Sequence, residues 1–412
     1  MPTSKHRADA PPLSRRRLLG LAAGAAGGIG AGLAVGSARA SDAPARRARP
    51  AARTGTRAAA GLPLTVSNRT GEFANTSIWL YIVGNDGQQQ VRVTPDGELK
   101  PVALSDNGSD GFTDYAIPLA GSGDTTLTLP PLSGRIYAAL GDKLKVKAVE
   151  DGDGKAALAY PAGWVESDPN HPVLHDCAEF TYNDRGMFCN TTMVDMFSVP
   201  MAIHLTGAKD QTTGTLKDGG RERIFSDVAA QDAFSRLVID DRRVIAPGHG
   251  LDAGLFAEDH FASYIDEVWN TYASKDLTVT TNAGTFTGRV SGGRLSFTGP
   301  GSVSFGKPST RDVLFCDGAL AAPNDPEGIV GPVAAILGAA FNRTTLHERL
   351  AQPATDPAGF YGTDAAHHYA KAMHGASEDG KAYGFAFDDV AGFASYIEDG
   401  APASMTLTLT PF

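Results

Sequence analysis

Through the first half of the folded chain, apolar and polar residues alternate with a period of two, in short runs divided by turn residues. That is the pattern of strands with one face buried on a sheet. Leu64-Thr65-Val66, Ser77-Ile78-Trp79-Leu80-Tyr81-Ile82-Val83 and Thr125-Thr126-Leu127-Thr128-Leu129 are such runs. Asn85-Asp86-Gly87, Asp106-Asn107-Gly108 and Asp151-Gly152-Asp153-Gly154 separate them, since Gly, Asn and Asp adopt tight-turn backbone angles at little cost. From Leu62 to about Leu205 this spacing predicts a β-sandwich or barrel without a long helix.

After Gly219 the period changes. Ser226 is placed to cap a helix on which Ala230, Phe234, Leu237 and Val238 fall three and four apart. A second helix carries Phe261, Ile265, Val268, Trp269 and Tyr272 on one stripe, which reads as core packing. Strand patterns return at Leu277-Thr278-Val279-Thr280, Thr285-Phe286-Thr287-Gly288-Arg289-Val290 and Arg294-Leu295-Ser296-Phe297-Thr298. Helical text follows from about Val330 to Leu350 and from Ala365 to His374, and the chain closes on the strand Ser404-Met405-Thr406-Leu407-Thr408-Leu409. The expectation is a mainly β protein in which residues 62–205 and 277–412 form one β domain with helical segments. Residues 206–276 are an α-containing insertion that makes much of a smaller domain.

The N-terminus follows neither pattern. Ser14-Arg15-Arg16-Arg17-Leu18-Leu19 is a twin-arginine motif ahead of an Ala/Gly-rich run, Leu18 to Val35, which ends in the small-x-small site Ala38-Arg39-Ala40. A bilayer span needs roughly 20 strongly apolar residues, and this run is diluted by glycine. Residues 1–40 therefore read as an export signal that is cleaved, leaving a secreted, extracellular protein with no membrane attachment. Residues 41–61 hold five arginines and no apolar periodicity, the composition of a disordered linker.

Twin-arginine export carries folded proteins, so the fold should not depend on disulfides made outside the cell. Only Cys177, Cys189 and Cys316 are present. A local Cys177–Cys189 bridge, a pairing with Cys316 and three thiols all remain open. The first 61 residues carry 11 Lys/Arg against 2 Asp/Glu, leaving 25 against 44 and a net charge of −19 in the body. Nucleic acid and anionic membrane are poor partners for such a surface, because phosphate binding relies on clustered Lys/Arg. A neutral polymer suits it better.

The chemistry-bearing segment runs from Cys177 to Met201, CAEFTYNDRGMFCNTTMVDMFSVPM: a strand, a polar turn at Asn183-Asp184-Arg185-Gly186, and a second strand. Alternation puts Glu179, Thr181 and Asn183 on one face of the first strand, and Thr191, Met193 and Asp195 on one face of the next. Glycoside hydrolysis needs one protonated carboxyl for the leaving oxygen and one ionised carboxylate to activate water or attack carbon. Two acids facing each other across strands can supply both; by themselves they also fit a solvated strand face. If Glu179 and Asp195 are opposite, the connection must centre near Met187. A tight turn at Asp184-Arg185 would set Glu179 opposite Asn190 and leave Asp195 roughly 16 Å further along, which would undo the pairing.

Glu179-Phe180-Thr181-Tyr182-Asn183, followed by Asn190-Thr191-Thr192-Met193-Val194-Asp195-Met196-Phe197 and Pro200-Met201, resembles the catalytic region of glycoside hydrolase family 64, laminaripentaose-producing β-1,3-glucanases of the thaumatin-like superfamily. The resemblance extends from about Leu62 to Phe412. Its further marks are Pro131-Leu132-Ser133-Gly134-Arg135-Ile136-Tyr137, Asp168-Pro169-Asn170, Phe315-Cys316-Asp317-Gly318 and Tyr383-Gly384-Phe385-Ala386-Phe387-Asp388-Asp389. In that family a Glu is the general acid and an Asp 16 residues later the general base, a separation that Glu179 and Asp195 keep. The resemblance implies a thaumatin-like β-sandwich or barrel domain with a smaller mixed α/β domain and a groove between them. It implies an inverting endo-β-1,3-glucanase without a cofactor, a monomer acting on curdlan, laminarin or fungal cell wall glucan. Thr181, Asn183 and Thr192 match positions that hold sugar hydroxyls. Phe188 stands where relatives carry Trp, so a stacked sugar loses the indole N–H. Thr192 is out of phase with Asp195 and needs a bulge or bend to share the groove. A thaumatin-like glucan-binding protein without catalysis is the alternative; retention of both carboxylates favours the enzyme.

Other constellations carry less. His171 and His175 with Asp176 suggest a metal, but Pro172 opposes a ligand-bearing helix there. His367, His368 and His374 read as packed or solvated residues of a helix. Asp388-Asp389 resembles a thaumatin-like stretch and reads as structural or cleft-lining.

Overall fold

A computed structural model describes residues 61–322 and 325–412. The signal expected over 1–40 and the linker expected over 41–61 lie outside these residues, apart from Gly61. Two large sheets supply the first core. One has the strand order Asp210–Thr213, Met201–Thr206, Ser404–Leu409, Leu62–Asn68 and Thr125–Leu129. Its central pair, Leu62–Asn68 with Ser404–Leu409, is parallel. The other runs Tyr396–Asp399, Gly186–Asn190, Leu174–Asn183, Leu132–Leu140, Ile78–Asn85, Gln90–Val93 and Leu99–Pro101. Leu64, Val66, Met405 and Leu407 from the first sheet pack with Leu80, Ile82, Ile136, Ala138, Ala178 and Phe180 from the second. The two sheets face each other across this core, the sandwich form of the sandwich or barrel that the alternation predicts.

A second core forms where the helical period begins. Gly220–Ala229, Ala262–Tyr272, Val330–Asn342 and His368–Ala376 pack on a third sheet, ordered Val303–Phe305, Arg294–Thr298, Gly284–Ser291, Leu277–Thr281 and Ala351–Gln352. The stripe Phe261, Ile265, Val268, Trp269 and Tyr272 is buried in it, as expected of core packing. The cores do not divide at the boundary expected near 277. Leu277, Val279, Phe286, Leu295 and Phe297 share the second core with the helices, because their strands bury one face on those helices. Only the final strands, from Tyr396, return to the first core.

Three helix expectations are corrected. The first helix starts at Gly220 after Gly219 in the left-handed region, and it ends at Ala229. Ser226 lies inside it, and Phe234 and Leu237 are buried from a turn that follows. Apolar spacing had continued past the helix end because those side chains reach the same core. The helix expected to about Leu350 stops at Asn342, two residues before Thr344 with φ 52°. The last helix begins at His368, its first turn capped by His367 Nδ1, which accepts from the Ala370 amide at 3.1 Å. Among the described residues no helix is long and apolar enough to cross a membrane.

Candidate active site

The strand Leu174–Asn183 is the spine of the site. Its even-numbered residues Ala178, Phe180 and Tyr182 enter the sandwich core, leaving Glu179 and Thr181 on the opposite, half-exposed face. Cross-strand partners on that face are Arg135 opposite Glu179 and Ser133 opposite Thr181 on one side, with Asn190 and Phe188 on the other. Tyr396 and Glu398 extend the row. The result is a polar sheet face, neither sealed nor fully open. Thr181 and Ser133 share a hydrogen bond of 2.8 Å.

The hairpin takes the tight register. Asn183 pairs with Gly186 and Glu179 with Asn190, the turn held by the Arg185 amide donating to Asn183 Oδ1 at 2.8 Å. Gly186 has φ 126°, a conformation that favours glycine. Yet this register does not part the two acids, because the strand ends at Asn190 and the chain bends. Thr192 bridges Tyr383, and the Met193 amide donates to the Tyr383 carbonyl. Met196 and Phe197 then pair with Ile245 and Val244, and the Ala246 amide donates to the Asp195 carbonyl at 3.1 Å. Asp176 holds the far end of the bend, accepting the Ser198 amide at 2.8 Å.

Both acids meet at Arg135. Its Nη2 lies 2.9 Å from Glu179 Oε1 and its Nη1 3.5 Å from Asp195 Oδ2. A planar guanidinium fixes those nitrogens about 2.3 Å apart, which places the two facing oxygens within about 9 Å of each other. Asn190 donates to Glu179 Oε2 at 3.4 Å, and Tyr137 Oη lies 3.2 Å from Arg135 Nη1. His249 Nε2 donates to Asp195 Oδ1 at 2.9 Å. Burial pushes the Asp195 carboxyl up, but the His249 hydrogen bond and the Arg135 charge outweigh it and hold the group below the usual aspartate value. Beside Asp195 a small, partly open recess is walled by Arg135, Tyr137, Trp164, Cys177 and Thr192.

The structure thus brings Glu179, Thr181 and Phe188 onto one face and sets Thr192 beside Asp195 through the bend. Asn183 sits at the hairpin end, its side-chain oxygen engaged in the turn. Arg135, Asn190, His249 and Trp164 were not singled out from sequence as site residues. Arg135 had a signal, a charge inside a strand of buried neighbours; His249, in Pro247-Gly248-His249-Gly250, has no spacing that marks it.

The three cysteines are free and buried. Cys177 shares the Glu179 face while Cys189, opposite Phe180, faces the core, so the sheet separates them. No group of three or more His, Cys, Asp or Glu among the described residues is arranged for a metal. His175 is buried and its pKa falls to about 4 through desolvation. Asp388 is buried between Arg343 and His374 at 3.0 and 2.9 Å.

The family model for glycoside hydrolase family 64, described as β-1,3-glucanase, matches residues 60–409. A glucan endo-1,3-beta-glucosidase of Cellulosimicrobium cellulans is 35% identical over 368 residues, or 86% of this chain; the alignment spans 66% of that relative's length. The fold is similar to a laminaripentaose-producing beta-1,3-glucanase solved in complex with laminaritetraose, with TM-score 0.78 and 34% identity over 86% of this chain and 99% of that one. A beta-1,3-glucanase domain from Clostridium beijerinckii matches with TM-score 0.74 and 30% identity over 88% of this chain and 100% of that one. With a match over nearly all of the described fold, the chain belongs to glycoside hydrolase family 64.

Proposed function

We propose that this protein is an endo-acting glycoside hydrolase that cleaves linear β-1,3-glucan with inversion, Glu179 as general acid and Asp195 as general base. The observation that carries the reading is the meeting of both carboxylates at Arg135 on a half-exposed polar sheet face. The bound of about 9 Å set by Arg135 accommodates the wider spacing that inversion uses to seat a water between sugar and base, and the inverting course itself rests on the family resemblance. Asp195, held ionised, suits the base. Glu179 stands across the guanidinium, placed to protonate the leaving oxygen.

Thr181, Asn183 and Thr192 supply short hydroxyl and amide groups for sugar hydroxyls, and Phe188 supplies a ring face. The relatives' names support β-1,3-glucan as substrate and laminaripentaose as product. Curdlan, laminarin and fungal wall glucan are the expected sources, taken by a monomer without a cofactor after twin-arginine export. A thaumatin-like sandwich beside a smaller mixed domain, with the groove between them, is the architecture that accompanies this reading.

The test is reducing-sugar release from curdlan and laminarin with cellulose as control, and NMR of the first anomer formed. Release from the β-1,3-polymers alone, with α-anomer appearing first, is expected. Equal cleavage of cellulose would overturn the substrate reading, β-anomer first the inverting one, and binding without release would favour a glucan-binding protein.

A further inference from the structure

His249 has no role in the chemistry above, yet its environment fixes it more firmly than packing alone requires. It lies on the short helix Pro247–Asp252, delivered beside Asp195 by the Val244/Ile245 ladder and by the Ala246 to Asp195 backbone bond. The helix cannot rock freely. A Cβ on Gly248 would stand 2.9 Å from the Phe315 ring, and one on Gly250 would stand 2.1 Å from Leu237 Cδ2. The imidazole stacks on Trp164 with centroids 4.4 Å apart and planes at 22°, and meets the Phe315 edge at 5.7 Å. Trp164 belongs to a loop whose Gly163 carbonyl accepts from buried Arg243 and from His171. The ring is therefore clamped on two sides, with Nε2 aimed at one oxygen of the carboxylate.

We propose that His249 is a positioning residue for Asp195. Its N–H occupies Oδ1, so that Oδ2 alone is turned toward Arg135 and the cleft, in one rotamer, while its hydrogen bond sets the pH range over which the base works. The inference rests on the reading of Asp195 as the base. The groups that face Asp195 are His249 from the helix, Arg135 and, behind it, Glu179 from the sheet, and the Cys177 thiol and Tyr369 phenol, whose pKa values burial raises. Of these only His249 and Arg135 bond the carboxylate, so loss of His249 leaves Arg135 as the one of them still bonded to it and gives Asp195 a freer rotamer.

The experiment compares His249→Ala, His249→Gln, Trp164→Leu and Asp195→Asn on a soluble β-1,3-oligoglucoside, reading kcat and KM across pH. His249→Ala is expected to lower kcat on the order of 10²-fold with KM little changed, the effect of a reacting group misplaced by about 1 Å. It should also move the acidic limb of the profile to higher pH. His249→Gln keeps a donor toward Oδ1 and should recover most of kcat; Trp164→Leu should move kcat and the limb in the same direction as His249→Ala, by less. An unmoved limb, a change in KM alone, or a Gln variant no better than Ala would overturn the inference. If the Ala variant does not fold, the Gln and Trp164 variants decide on the same criteria. Near-normal turnover of Asp195→Asn would instead overturn the assignment of the base.

Discussion

Glu179 stands directly opposite Asn190 across the hairpin, with the Asn190 amide 3.4 Å from Glu179 Oε2. The bond is long but reaches the oxygen that Arg135 leaves open, so it fixes the plane of the carboxyl. Asn190→Ala is expected to lower kcat about tenfold, the low end for a hydrogen bond to a charged group. Full kcat in this variant would mean that Arg135 alone orients the acid.

Glu179→Gln and Asp195→Asn each remove one proton-transfer role while keeping shape. Each should lower kcat by about 10²–10⁴-fold, with retained sedimentation on curdlan and a melting temperature close to the parent. A variant that loses curdlan binding together with turnover would point to a structural role.

Arg135→Met removes the charge between the two acids and leaves a stem of similar length. Both carboxylates lose a partner, so kcat should fall on the order of 10²-fold or more, with a loss of stability also expected. Since the three side chains are each about a quarter exposed, water moderates that second effect. Activity near the parent value would show that the backbone alone sets the geometry.

The depressed pKa of Asp195 has a direction that can be read in kinetics. A base ionised below the usual aspartate value keeps working as the medium acidifies, so the acidic limb of kcat/KM should lie below pH about 4. Asp195 also contributes stability that is present above its unfolded pKa and lost as pH falls through the folded one. A pH profile on a soluble oligosaccharide locates the limb; a midpoint above 5 would contradict the arrangement.

Asp176 behaves in the opposite sense. Burial raises its carboxyl to about 7, against the pull of the backbone amides of Cys177, Ser198 and Val199 and of Arg243. Between its unfolded pKa near 4 and the folded value, the native state holds a proton that the unfolded chain has released, so stability from this group falls as pH rises through that window. Asp176→Asn should be less stable overall, having lost acceptors, but its melting temperature should vary less between pH 4 and 7. An unchanged slope in thermal melts would remove Asp176 as the source.

The sandwich strands were legible because their core-facing residues, Leu80 and Ile82 or Ala178 and Phe180, repeat every second position, even though Tyr81, Val83 and Tyr137 on the other face are buried in a further cluster. The candidate acids were legible through the family motif. Their geometry was not, because it depends on where the second strand stops. Alternation assumes a straight strand through Asp195, whereas the strand ends at Asn190 and residues 191–197 are redirected by Tyr383 and by the Val244 and Ile245 ladder, contacts far away in sequence. His249 was hidden for the same reason, being 54 residues from the carboxylate it touches. The division of cores near 277 was misread because a strand's alternation shows that one face is buried, not what buries it.

The segment that bears Asp195 begins in one core, with Met193 and Phe197, and ends in the other, with Val199 and Met201. Glu179 is anchored wholly in the sandwich. The reach from one acid to the other is therefore a tolerance between two hydrophobic cores, as the gap in a caliper is set by its jaws. Slippage of the jaws by an ångström leaves every helix and strand intact while moving the base off its water. On warming, turnover should then fade ahead of the circular dichroism signal, and ligands that span the jaws should bring the two transitions together.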